Sequence, residues 1–339
     1  MSIPSDLTID ASKFRPENVG EATKKANAFL EEVTTGGPRW YEVGAAQYRQ
    51  MHLDGKLAIP APVLLPNAID ATVPSRDHPR SIPIRVYKPD NGQESKGVFL
   101  HYHGGGFFLG SEKSSDKALQ RFANGSQLTA ISVGYRHAPE DPHPAAVHDS
   151  IDVAEHLIDN PSEYGAVRIL AGESAGACLA VISALHLLGS RPSHALSGLV
   201  LQYGFYDLSL GLPTLATSTR PLMVNHASLL RLTNAYLPGL STEERKDPSI
   251  SPLFTNLPAL VAGSTNGLPP AIFVVGTEDC LLDDTILMGM KWSIAGGESI
   301  VKIYPGASHG FTAAPGLPVA DEANAASIRF VNEKVDGKS

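Results

Sequence analysis

The chain predicts an α/β protein: a mostly parallel central sheet flanked by helices, with a helical cap. Three observations carry this. Seven short apolar, β-branched runs lie at 81–89, 97–103, 128–136, 167–172, 196–204, 270–277 and 299–306. Helix-like stretches at about 113–124, 145–159, 174–189, 281–296 and 319–335 separate the later runs. Two regions, 1–60 and 205–265, stand outside this alternation and carry helical patterns of their own. Near-continuous apolar strands alternating with helices describe a sheet covered on both faces.

Residues 1–60 read as largely helical, most clearly at 16–33, and form the first part of the expected cap. The first half of the core is expected over 61–204. Its opening run, 81–89, alternates apolar and polar residues, which fits an antiparallel edge strand at the start of the sheet. The insertion 205–265 is too long for a structureless loop, and HASLLRLTNAYL at 226–237 has a helical pattern. It reads as the second part of the cap. Residues 266–339 return as the second half of the core.

A chain of 339 residues that is 42% hydrophobic buries a sizeable core, and one large domain with insertions accommodates it. Lys and Arg number 27 against 35 Asp and Glu, a net charge of −8 with no basic run. That balance argues against nucleic acid and anionic membranes as partners. No apolar stretch reaches the roughly 18 residues of a spanning helix. The start, MSIPSDLTID, lacks a signal-peptide pattern, so a cytoplasmic protein is expected. Two cysteines, Cys178 and Cys280, make neither a disulfide framework nor a zinc spacing.

Ligands of open parallel sheets bind at the carboxyl ends of the strands, so the residues following each run are the candidates. After 167–172 comes Gly172-Glu173-Ser174-Ala175-Gly176, a G-x-S-x-G pattern between a strand and a helix. Ser174 is either a helix N-cap or a nucleophile on a strained turn that needs small neighbours on both sides. After 97–103 comes His103-Gly104-Gly105-Gly106-Phe107. Its glycines can turn main-chain N–H groups toward a developing oxyanion, or simply make a flexible turn. A phosphate loop is disfavoured because the G-x-x-x-x-G-K pattern is missing. The ring of His103 is expected to bond the loop backbone. After 270–277, GTEDCLLDD offers Glu278, Asp279, Asp283 and Asp284; after 299–306, YPGASHGF offers His309. A serine nucleophile needs a base, and the base needs a carboxylate to hold its tautomer. The chain order Ser, Asp, His is that of an α/β-hydrolase.

These residues resemble the hormone-sensitive-lipase-type branch of the α/β-hydrolases, esterases with an HGGG loop, over roughly 80–312. YRHAPEDPHPAAVHD (135–149) is similar to that family's Y-R-x-A-P-E-x-P-x-P-A-A-x-x-D stretch. DPSISPL (247–253) resembles the segment following its cap insertion, and SHGF (308–311) its histidine loop. The resemblance implies Ser174 as nucleophile, His309 as general base and Asp279 as the acid, since DCLLD (279–283) aligns with D-P-L-x-D. It implies a structural Asp283, and oxyanion donors on the backbone of Gly105, Gly106 and Ala175. The implied activity is a serine carboxylesterase for short- to medium-chain or small aromatic and alicyclic esters, with no cofactor and no metal. The partner is a small-molecule ester, and a homodimer is left open. Thioester, lactone or amide hydrolysis in a biosynthetic pathway would use the same constellation. Relatives that bind a small hormone-like ligand without turnover typically lack the Ser or the His, which this chain keeps.

Three positions depart from the family pattern: Cys280 for Pro, Leu282 for Arg and Glu173 for the frequent Asp. Glu173 is expected to be a buried support of the turn, paired with a donor. Both cysteines are expected as buried hydrophobes, with Cys280 a route to thiol sensitivity. The cap offers Trp40, Tyr41, Phe205, Tyr206, Leu215, Met223 and Tyr236 to an apolar pocket, each more often a core residue than a lining one.

Overall fold

The computed structural model describes residues 8–57, 60–314 and 316–337. The start of the chain read for a signal peptide lies largely outside them, as do small parts of the expected cap and of the second core half.

Eight strands form one sheet: β1 (Ile69–Pro74), β2 (Ser81–Tyr87), β3 (Val98–Tyr102), β4 (Thr129–Val133), β5 (Val167–Glu173), β6 (Gly198–Gln202), β7 (Ala271–Gly276) and β8 (Ser299–Tyr304). Their order is β1-β2-β4-β3-β5-β6-β7-β8. The pairs from β4 to β8 are parallel, while β1 and β2 run antiparallel. The mostly parallel sheet is as expected. The run at 81–89 is antiparallel but is not the edge, because β1 pairs outside it. β1 escaped the sequence reading because only Val73 in it is buried, leaving no apolar run to mark it. Its closing Pro74 is tolerated at an edge.

Every residue of β3, β4, β6 and β7 is buried. Successive side chains point to opposite faces, and two cores result. On one face Phe99, Ala171 and Val200 pack with Leu119, Phe122 and Phe330, which come from helices Asp116–Ser126 and Pro318–Val335. On the other, Leu100, Leu170 and Leu199 pack with Val153, Leu179 and Met288 of helices Ala145–Asp159, Ala175–Ser190 and Leu282–Ile294. Arg85 of β2 is pinned to the fully buried carboxylate of Asp116 at 2.7 Å, which also accepts from Tyr87 Oη at 2.7 Å. A buried charge is tolerable only when paired and hydrogen-bonded in this way.

The N-terminal region holds helices Glu21–Gly36, Trp40–Val43 and Ala45–Leu53. The expected helix at 16–33 begins later, at Glu21, after a separate turn at Pro16–Asn18. The insertion holds helices Pro213–Thr217, His226–Tyr236 and Leu257–Ala262. Helix His226–Tyr236 opens with a reciprocal capping box between Asn225 and Ser228. Both regions meet the loops at the carboxyl ends of the strands. Trp40 packs at a tilt against Phe108 beyond β3, 4.7 Å between ring centres, and Asn27 donates to the Gly306 carbonyl beyond β8 at 2.8 Å. Arg220 pairs with Glu278 beyond β7. The regions also meet each other, with Arg231 over the Tyr41 ring at 3.8 Å.

Candidate active site

β5 ends in a sharp corner. Ser174 sits at φ 55°, ψ −118°, a conformation that costs a non-glycine residue on the order of 1–3 kcal/mol. The corner is possible because its neighbours lack side chains. A Cβ on Gly176 would collide with the Tyr102 carbonyl, and one on Gly172 with the Gly176 carbonyl. Ser174 starts helix Ala175–Ser190, yet its hydroxyl makes no capping bond. Oγ instead lies 2.9 Å from His309 Nε2. The hydroxyl's geometry therefore departs from the N-cap reading.

His309 stands on the loop after β8. Its Nδ1 is 3.0 and 3.1 Å from the two carboxylate oxygens of Asp279, on the loop after β7. Asp279 also accepts from the Leu281 N–H at 2.8 Å. An ionised carboxylate only accepts, so Nδ1 carries the proton and Nε2 is free to accept from the Ser174 hydroxyl. All three residues are buried, at 7%, 1% and 5% exposure for Ser174, Asp279 and His309. The Tyr203 ring packs edge-on to His309 at 4.9 Å. Thr312 ties the histidine loop back to Gln202 Oε1 at 2.7 Å.

Of the four carboxylates after β7, only Asp279 reaches the imidazole. Glu278 is exposed and paired with Arg220. Asp283 accepts from the backbone and hydroxyl of Thr214 at 2.8 and 2.7 Å, a structural tie to the insertion. Asp284 accepts the N–H groups of Tyr206 and Asp207 at 2.7 and 2.8 Å, and burial pushes its carboxyl far above the usual range.

The glycine loop lies against the corner. Gly105 has φ +113°, and a Cβ there would collide with the Leu109 carbonyl, so only glycine fits. Among the described residues, the N–H groups of Gly105, Gly106 and Ala175 donate to no protein acceptor. The Gly104 N–H is engaged, donating to Glu173 Oε1 at 3.0 Å. Glu173 Oε2 lies 2.6 Å from His101 Nε2. Burial would raise the Glu173 carboxyl, but the neighbouring His101 and the Gly104 N–H outweigh it and hold it below the usual carboxylate range. The expected support role of Glu173 thus has two partners. His103 bonds the Gly104 carbonyl through Nδ1 at 2.7 Å and stacks on Tyr135 at 4.2 Å; burial pushes its pKa down to about 4.

Phe205, Tyr206, Leu215 and Tyr236 are fully buried core residues. Met223 stands over the histidine loop, 3.9 Å from where a Gly310 Cβ would be. Leu232 stands over the glycine loop, 2.8 Å from where a Gly106 Cβ would be. Neither Leu232 nor His101 was found by sequence reasoning. Nothing separates Leu232 from the other leucines of its helix, and His101 sits inside an apolar strand run. Both cysteines are free and buried. Burial pushes both thiols far up, with the Asp279 charge adding to the effect at Cys280, which disfavours the reactive thiolate. Among the described residues no helix is long and apolar enough to cross a membrane.

A serine, a histidine and an aspartate aligned at the carboxyl end of a mostly parallel sheet define the class of α/β-hydrolases. The alpha/beta hydrolase fold family matches this chain over residues 99–313. Carboxylesterase NlhH of Mycobacterium tuberculosis is 29% identical over 282 residues, covering 80% of this chain and 82% of that protein. An esterase of Acinetobacter venetianus is 32% identical over 219 residues, covering 63% and 67%. The crystal structure of a thermostable esterase from Pseudomonas putida ECU1011 shares the fold, with a TM-score of 0.79 at 22% identity over 92% of this chain and 96% of that one. The chain belongs to the alpha/beta hydrolase fold family, and it is a carboxylic ester hydrolase.

Proposed function

We propose that this enzyme is a serine carboxylesterase for short- to medium-chain or small aromatic and alicyclic esters, working through an acyl-enzyme. Ser174 is the nucleophile, His309 the general base and Asp279 the acid that orients it. The observation that carries this reading is the row of contacts, 2.9 Å from Ser174 to His309 and 3.0 Å from His309 to Asp279. Ser174 Oγ bonds to the ester carbonyl carbon while His309 Nε2 takes its proton. Asp279 stabilises the imidazolium. The oxyanion meets the N–H groups of Gly105, Gly106 and Ala175, each donor contributing about 3 kcal/mol. His309 then returns the proton to the leaving alcohol as the acyl C–O bond breaks. Water repeats the sequence on the acyl-enzyme and releases the acid.

We assign residues 1–60, as far as they are described, and 205–265 to a cap over this site, on the strength of their contacts with the loops after β3, β7 and β8. The acyl-length preference rests on how closely Leu232 and Met223 approach the glycine and histidine loops. A cytoplasmic location agrees with two cysteines kept as free thiols. The test is a p-nitrophenyl ester series from acetate to palmitate, with Ser174→Ala as control. The short and medium esters should be cleaved fastest, and Ser174→Ala should lower kcat by about 10⁴–10⁶-fold. Rates that climb through palmitate overturn the acyl-length reading. Activity that survives in Ser174→Ala overturns the nucleophile.

A further inference from the structure

Three polar side chains stand on one sheet face directly beneath the loops of the site. His101 on β3, Glu173 on β5 and Gln202 on β6 each follow, by two residues, an apolar neighbour on the same face: Phe99, Ala171 and Val200. All six line a cavity of about 80 Å³ between the sheet and the flanking helices. Gln202 holds the histidine loop through Thr312. The other two hold the glycine loop. Glu173 precedes Ser174 by one residue, and His101 precedes Gly104 by three. One carboxylate therefore joins the nucleophile corner to the oxyanion loop, with one oxygen on the Gly104 N–H at 3.0 Å and the other on His101 at 2.6 Å. His101 is itself steadied by Ser132 Oγ on β4, 3.3 Å from Nδ1. The fit is close: a Cβ on Gly104 would lie 3.0 Å from the Glu173 carbonyl and 3.1 Å from its Cγ.

We propose that Glu173, held by His101, is a positioning residue that sets the spacing between the oxyanion donors on Gly105 and Gly106 and the hydroxyl of Ser174. This rests on the nucleophile and oxyanion assignments above. The carboxylate touches no reacting atom. It acts through the Gly104 N–H, next to the first of the proposed donors. Without it, the loop keeps its glycines but loses its fixed height over the corner. A displacement on the order of 1 Å at a reacting centre costs up to about 10²-fold in rate.

The experiment measures Glu173→Ala and the isosteric Glu173→Gln, with active sites counted by the endpoint of fluorophosphonate labelling. Per labelled site, Glu173→Ala should lose about 10- to 100-fold in kcat with KM within about 2-fold, less than the ~10²–10³ of a deleted oxyanion donor. Glu173→Gln, which keeps one acceptor oxygen, should fall between it and wild type. Inhibition by an aryl trifluoromethyl ketone, whose adduct places an oxyanion in the same hole, should weaken in step with kcat/KM. A merely structural role predicts a lower melting temperature with kcat and ketone affinity per site unchanged, and that result overturns the proposal. Ser174→Ala in the same assay separates the two failures. If it retains activity, the underlying assignment fails. If it is inactive while both Glu173 variants match wild type, the positioning role alone fails.

Discussion

Two helices of the same length show how differently this molecule holds its parts. Helix Ala175–Ser190 and helix Glu21–Gly36 each have 16 residues. The first buries eleven of them and carries the serine corner on its N-terminus. The second buries two, Thr23 and Asn27, and leaves Phe29 exposed. Ser174, Asp279 and His309 hang from strand ends between two packed cores. The N-terminal covering helices are tied by surface ion pairs, a few ring contacts and single hydrogen bonds, whereas the insertion also packs Phe205, Tyr206, Leu215 and Tyr236 into the core. Elements with few buried contacts open at low free-energy cost. On the proposed reading, reaction geometry and substrate admission fall to parts of unequal rigidity.

That contrast can be tested at three depths. The largest effect is expected in the buried row. Asp279→Asn should keep the fold but lower kcat by about 10²–10⁴-fold, because an amide can present N–H to His309 and reverse its tautomer. Steady-state kinetics beside a circular-dichroism melt check this, and a rate within a few fold of wild type would remove Asp279 from the row.

An intermediate effect is expected from the buried His103 and from the half-buried His137, whose ring meets it edge-on at 5.4 Å. Burial pushes His103 down to about 4 and His137 down to about 3, below the usual histidine value, so both are neutral in the folded chain. The unfolded chain binds more protons between those values and about 6.5, so stability falls as pH drops through that window. Across the whole window the loss should be on the order of 3–5 kcal/mol per imidazole. Urea midpoints at pH 7 and in the acid part of the window measure it, and His137→Gln should flatten the dependence. An unchanged slope would mean that His137 is not the group being titrated.

The smallest effect belongs to the cover. Arg220 joins Glu31 at 2.8 Å and Glu278 at 2.5 Å, with half of its side chain exposed. Arg220→Ala should cost less than about 1 kcal/mol of stability, as exposed pairs do. It should change KM rather than kcat, and high salt should mimic it. A large loss of kcat would show that the covering segments help to hold the loop of Asp279.

What was legible in the sequence follows the same division. Strands β3, β4, β6 and β7 announce themselves because burial on both faces makes them largely apolar. The proposed site is legible because a tight strand-to-helix corner demands glycines at fixed offsets and the fold sets the chain order Ser, Asp, His. β1 was missed because an exposed edge strand needs no apolar run. The start of helix Glu21–Gly36 was misplaced because Gly20 and the turn at Pro16–Asn18 break a pattern that looks continuous. His101 was missed because its partner, Glu173, lies 72 residues away and only the sheet brings them side by side.

The shallow exposure of the serine has a consequence for how substrates compare. Ser174 is 7% exposed and His309 5%. On the proposed reading, whatever binding free energy an ester spends in opening a way to so covered a hydroxyl is not available to stabilise the transition state. Substrate preference would then weigh two fits at once: that of the acyl group at the serine, and that of the whole molecule on its way in.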